Sequence, residues 1–399
     1  MNKKLMAVAV AGALAAPATV LAQVQIYGRA NLGVDSYSAT GATAGSAQDF
    51  KSRNRVFDNS SRLGFRGTED LGGGMRAVFV IESGVNIDTG NQNSQFGGAN
   101  ASTGFLASRD SYAGLEGDWG RVTFGRQSIY WVNGVIAQSG ANYINVDVAT
   151  TGALGRVVAP TARTSNVVAY NSPTINGFNG TVSYAPNSEA AAVGANTDAR
   201  IWGVTGRYSG RFNAQIDYAV NQGTSGAATG TPKNSGLKVG VGYPYAPGAQ
   251  IAVIYIAEKN DNIAQCAPIA APCVAGVGVP GFAAAGDSVK ANAVIVNWEH
   301  TFGNIQALAE VGKVAKAKGC SGTGCDNTDA TGYMVAGRYL LSKRTAAYVS
   351  YNKITNKDNA TWDTSGGGQS SASASGGFLP PLSAGADPRI IALGVIHNF

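Results

Sequence analysis

Residues 61–90 read SRLGFRGTEDLGGGMRAVFVIESGVNIDTG. Two runs of alternating side chains flank the tight DLGGG (70–74), and a long stretch poor in pattern, 88–107, follows the second run. Arg62 and Arg66 share one parity before the turn, and Arg76 and Glu82 share one after it. Successive side chains of a strand point to opposite faces, so each run puts its charges on a single face. GGGM at 72–75 precedes no helix, which makes it a hairpin turn and not a phosphate-cradling loop. The block is two strands with a short connection at one end and a long one at the other. Whether that asymmetry is local or general decides the fold.

It is general. In QVQIYGRANLGVD (23–35), Val24, Ile26, Ala30, Leu32 and Val34 face one way, and Gln25, Tyr27, Arg29, Asn31 and Asp35 the other. RFNAQIDYAV (211–220), LKVGVGY (237–243), GTVSY (180–184) and WGVTGRY (202–208) repeat the scheme, and no long run has a 3.6-residue apolar period. The chain is all-β. Its turn-like connections are 70–74, 116–120, 172–178, 209–211, 245–248, 300–304 and 340–344. Between them lie long stretches near 36–55, 88–107, 129–162, 187–199, 221–235, 260–288, 317–328 and 356–386. Seven short and eight long connections make fifteen, hence sixteen strands.

A soluble domain does not carry eight such loops, because unstructured connections beyond about 12–15 residues are uncommon there. A secreted sandwich would space its strands evenly at both ends. An outer-membrane barrel has an even strand count, short periplasmic turns and long outer loops, and closure removes the unpaired strand edges that lipid cannot satisfy. The chain ends in IIALGVIHNF (390–399), where Ile391, Leu393, Val395, His397 and Phe399 share one parity and Ala392, Gly394 and Asn398 the other. This reads as the sixteenth strand, pairing with the one that starts at Gln23.

Composition narrows the function classes. Charged residues are 14% of the chain, against roughly 25% in typical globular domains. The formal charge is +6 with no Lys/Arg run, which gives no footprint for nucleic acid. Lys3 and Lys4, the apolar run Leu5–Leu21 and the Val20-Leu21-Ala22 site predict a signal peptide over 1–22. Its removal leaves 377 residues (399 − 22) and a charge of +4 (6 − 2). The apolar stretch 263–286 carries Pro268, Pro272 and Pro280 and reads as a loop. Cys266, Cys273, Cys320 and Cys325 follow a signal peptide, so disulfides are the default. Of the three possible pairings, 266 with 273 and 320 with 325 close the shortest loops, and their spacings do not suit zinc.

Catalysis has few candidates. His300 shares parity with Val294, Val296 and Trp298, and His397 with Val395 and Phe399, so both histidines face outward. A Ser–His pair working in the lumen would need them turned the other way. No enzyme activity, cofactor or energy source is implied.

These residues carry a family resemblance. QIYGRANLG at 25–33, the block 61–90, RDSYAGLEGDWGRVTFGRQ at 109–127 and the terminal GVIHNF resemble the trimeric general porins of Gram-negative bacteria, particularly the β-proteobacterial branch. The resemblance implies a homotrimer in the outer membrane, in contact with its lipid and lipopolysaccharide. It implies passive passage of ions and small hydrophilic solutes, and a third outer loop folded into the lumen opposite a basic cluster. On this sequence the basic positions are Arg29, Arg62, Arg109 and Arg156, with Glu82 and Asp147 as the acids, and the inward loop is 129–162. Phe399 resembles the terminal signal read by the barrel-assembly machinery. The family's acidic loop element is missing: 130–163 reads YWVNGVIAQSGANYINVDVATTGALGRVVAPTAR, with Asp147 as its one carboxylate against Arg156 and Arg163. Few acids against several arginines predict a weakly anion-selective general porin. A substrate-specific porin for an anionic solute, or an adhesin acting through its loops, are the alternatives.

Overall fold

The computed structural model describes residues 24–59, 61–85, 87–88, 106–129, 163–186, 200–222, 233–261, 287–362 and 382–399. The expected leader, almost all of the expected inward loop, Asp147, Arg156, Cys266 and Cys273 lie outside these. The strands are β1 (Gln25–Thr40), β2 (Phe50–Asp58), β3 (Arg62–Gly72), β4 (Met75–Gly84), β5 (Ser111–Gly117) and β6 (Gly120–Ser128). They continue with β7 (Arg163–Asn171), β8 (Phe178–Pro186), β9 (Arg200–Ser209), β10 (Asn213–Gln222), β11 (Lys233–Ala246) and β12 (Ala249–Asp261). The last five are β13 (Val289–Phe302), β14 (Ile305–Val314), β15 (Ala330–Leu340), β16 (Thr345–Asn356) and β17 (Asp387–Asn398). The only helix among the described residues is a 3-10 turn, Ser46–Gln48.

Every neighbouring pair is antiparallel, and β17 pairs back onto β1, so the sheet closes on itself. Seventeen segments make sixteen staves, because β2 and β3 share one side of β1. Leu32–Ala39 of β1 pairs with β2, and Gln25–Arg29 pairs with β3. At the break, the Asn59 amide donates to Asn31 O at 2.9 Å, and the Asn31 amide donates to Ser61 Oγ at 2.9 Å. The ladder is therefore bridged and not lost, as a membrane-embedded backbone demands. All seven short connections fall where the sequence places them.

One long connection is shorter than expected. Residues 36–40 and 50–55 are strand, leaving 41–49 as the link between β1 and β2. The Ser36 and Ser52 hydroxyls hydrogen-bond at 2.9 Å, and Arg55 forms a bidentate pair with Asp35 at 2.8 and 3.0 Å. A hairpin whose faces both carry polar side chains has no apolar alternation to betray it.

Closure is sealed at the last residue. The Gly28 amide donates to Phe399 O at 3.0 Å, and the Phe399 amide donates to Gly28 O at 3.2 Å. A Cβ on Gly28 would sit 2.4 Å from the Phe399 ring and 2.6 Å from Arg62 O, so only glycine lets the aromatic lie over the seam. His397 bonds Thr345 Oγ1 through Nδ1 at 2.9 Å. His300 bonds the Tyr245 hydroxyl at 2.8 Å and stacks on Phe302 with centroids 4.0 Å apart. Both histidines stand in an aromatic rim near the short turns, where amphipathic rings favour a membrane interface.

The inner wall divides into two parts. Side chains directed outward are exposed, as with Leu393 at 59%, while Ala392 beside it is 1% exposed. The sequence predicts polar inward residues throughout. On β12–β17 many inward residues are apolar instead: Ile254, Ile256, Ile295, Val314, Met334, Ile354 and Ile390 are all buried. Ala317, Cys325, Ala360 and Trp362, from the connections after β14 and β16, pack with Ile254, Ile256, Ile295, Val314 and Ile354 in one cluster, while Met334 and Ile390 pack with Tyr37 and Phe57 of β1 and β2. Trp362 Nε1 donates to Thr328 O at 3.0 Å, which fixes one connection against the other. Cys320 and Cys325 are joined by a disulfide inside the first of them. Polar residues interrupt this wall, as where Asn297 donates to Glu310 at 2.9 Å.

Candidate functional site

The break between β2 and β3 sets the start of the charged wall. Asp58 Oδ1 accepts the Ser61 amide at 2.9 Å, and Asp58 Oδ2 accepts the Ile87 amide at 3.2 Å. The turn so made begins β3 at Arg62, directly across from Arg29 in the register. Two residues on, Gly64 sits between Tyr27 of β1 and Glu82 of β4. A Cβ there would lie 2.4 Å from Tyr27 Cζ. Gly64 therefore leaves the tyrosine room to lie across β3, and its hydroxyl donates to Glu82 Oε2 at 3.1 Å.

Glu82 is the hub. Arg109 Nε donates to its Oε1, and Arg62 Nε lies 3.8 Å from its Oε2. Arg109 stands in the approach to β5, not within a strand, and its amide donates to Glu82 O at 2.9 Å. Beyond it, Arg163 at the head of β7 pairs with Asp110 at 3.2 Å, and Asp110 also accepts the Ser128 amide at 3.0 Å. The Arg109 guanidinium is a cation at neutral pH. The side chains are largely shielded: Arg62 is 21% exposed, Arg109 9% and Glu82 11%.

Arg29 continues the group toward the seam, with Nε donating to Asn398 Oδ1 at 3.1 Å. Arg29, Arg62, Arg109 and Arg163 against Glu82 and Asp110 give four positive and two negative charges, a net +2. Among the expected site residues, the structure thus gathers Arg29, Arg62, Arg109 and Glu82. Arg66 belongs to a lower level, donating to Gln25 at 2.8 Å with its guanidinium 5.2 Å from the Tyr27 ring. Arg76 is farther still, paired with Glu116, which lies 3.8 Å from Arg121. Arg163 was expected in the inward loop and Asp110 was not singled out. The signal for both was their place at the heads of β5 and β7, each at the end of a long connection.

A closed barrel with a charged inner stretch, histidines turned outward into an aromatic rim, and an aromatic seam points to a channel. Comparison with known proteins decides the matter. Gram-negative porin is the family matched, over residues 5–359. The chain belongs to the Gram-negative porin family. A Bordetella pertussis outer membrane porin protein is 32% identical over 387 residues, spanning 88% of this chain and 94% of that one. The anion-selective porin from Comamonas acidovorans shares the fold with a TM-score of 0.68 at 21% identity, covering 95% of this chain and 100% of the other. Vibrio cholerae OmpT in its trimer form matches with a TM-score of 0.58 at 13% identity, over 95% and 99% of the two chains. This porin is an outer-membrane passive channel and not an enzyme.

Proposed function

We propose that this porin is a general diffusion channel for ions and small hydrophilic solutes, with a weak preference for anions. The observation that carries the reading is the net +2 of the group around Glu82, set on the inner wall at the level of the Arg29–Arg62 pair. In a pore with low-dielectric walls, a positive ring raises the local anion concentration. Glu82 and Asp110 offset part of that charge, so the preference is modest. The proposal includes the remaining expected parts: a leader over 1–22, an inward loop over 129–162 bringing Arg156 and Asp147 to the group, and assembly through Phe399 into a homotrimer. Support for the trimer is the likeness in fold to OmpT in its trimer form.

The test is the zero-current potential of the reconstituted channel across a KCl gradient, read together with conductance against salt concentration. The expected result is a small anion preference and a conductance that rises without saturating. A clear cation preference overturns the selectivity, and saturating block by one solute overturns the general-diffusion reading.

A further inference from the structure

The apolar part of the inner wall carries a canopy. Residues 315–318 continue β14 against the start of β13: the Ala315 amide donates to Asn292 O at 2.8 Å, and Lys290 and Lys318 exchange backbone hydrogen bonds at 2.8 and 2.9 Å. Ser321 is then held on Asp287, its amide and its hydroxyl each donating to the carboxylate at 2.7 Å. The Cys320–Cys325 disulfide closes this turn, and the Thr328 hydroxyl donates to Cys325 O at 2.9 Å.

Two further connections are locked onto the first. Trp362 is 3% exposed, with its indole bonded to Thr328 O. Asn356, inward at the long-loop end of β16, donates to Trp362 O at 2.8 Å and accepts the Trp362 amide at 3.1 Å. Asn359 Nδ2 donates to Asp326 O at 2.8 Å. Thr43 Oγ1, from the link between β1 and β2, donates to Asp358 O at 2.6 Å. Residues 41–49, 315–329 and 357–362 are thus joined in one hydrogen-bonded piece.

Its neighbours show on which side of the wall it lies. Val253 and Val294, 47% and 45% exposed, face outward, whereas Ile254 and Ile295 beside them are 1% and 0% exposed and face inward. Cys325 and Trp362 pack in the cluster of the inward pair. The canopy therefore stands inside the cylinder over β12–β17, and the Glu82 group occupies the wall of β1–β7. Close-packed side chains leave no path for a solute, and pore width is one determinant of what a channel admits. We infer that the canopy closes this side of the mouth, that solutes pass along the charged wall, and that Trp362, through the canopy it positions, sets their size limit. The inference rests on the reading of this porin as a diffusion channel and is independent of which ion it prefers.

The test is the swelling of liposomes carrying the purified porin in arabinose, sucrose and raffinose, neutral sugars of increasing size. Each rate is divided by the arabinose rate, which removes the number of assembled channels. In wild type the ratio should fall steeply with size. Trp362→Ala should raise the raffinose ratio several-fold and Trp362→Phe less, with the zero-current potential unchanged in both. The double variant Cys320→Ser, Cys325→Ser should move the ratio in the same direction. Ratios near one for every sugar in wild type overturn the inference even where no variant assembles. An assembled Trp362→Ala channel with wild-type ratios overturns it as well. Wild-type liposomes that do not swell even in arabinose would remove the diffusion-channel reading itself, and the inference with it.

Discussion

The two halves of the inner wall solve the same problem by different means. Around β1–β7 the inner wall carries paired charges: Arg55 is held by Asp35, Arg62 and Arg109 by Glu82, and Arg163 by Asp110. Across β12–β17 much of the inward surface is hydrocarbon, with Ile254, Ile295 and Ile354 packed against Cys325 and Trp362 from the connections above. A paired charge is costly to break, since the partner left behind stays buried and uncompensated. Packed hydrocarbon is costly to hollow out but leaves the electrostatics of the pore alone. Selectivity should therefore be adjustable from one half and nearly blind to the other.

The seam where the halves meet carries the largest expected effect. Deleting Phe399 removes the amide and carbonyl that pair with Gly28 and uncovers the edge between β17 and β1. Assembled, heat-modifiable oligomer should fall severely, whereas the molecules that do assemble should conduct nearly as wild type. Normal assembly without Phe399 would show that the seam closes by other means.

Next come matched lesions in the two halves. Glu82→Gln strands two arginines and should cost about 3–5 kcal/mol of stability while moving the channel further toward anions. Ile295→Ala empties a site that is 0% exposed and should cost about 2–5 kcal/mol, with the ion preference unchanged. Thermal midpoints and zero-current potentials of the two variants decide it. A selectivity change in Ile295→Ala would merge the halves.

The fold was legible to the degree that alternation was. Turns such as DLGGG and YAPG announce themselves, and the outward row of β17 follows parity to the residue, whereas on β10 the row ends in a buried Val220. The upper hairpin of β1 and β2 escaped because Ser36, Ser52 and Arg55 give it no apolar face. The apolar inner wall was written in IAVIYIAEK (251–259), where both parities are hydrophobic, a pattern proper to strands buried on both faces. Polar-in alternation, which suits a wall facing open water, was the wrong expectation for a wall covered by its own connections. In the site, parity picks out Arg62 and Glu82 as inward residues, but pairing across strands cannot be read from parity. That Glu82 binds Arg109 depends on the residues before β5 returning to β4, a matter of chain path.

The smallest effect is also the most direct test of the account. Arg62→Glu changes the local charge by two, and for an ion about 10 Å away in water this is worth roughly 0.8 kcal/mol, about a fourfold change in local anion concentration. Salt near 0.1 M, with a Debye length of about 10 Å, weakens it, so the measurement belongs at low ionic strength. The zero-current potential of Arg62→Glu in a KCl gradient should shift clearly toward cations, and that of Arg66→Glu, on the level of Gln25, should shift less. Equal shifts for the two variants, or none for Arg62→Glu, would contradict the assignment of selectivity to the group around Glu82.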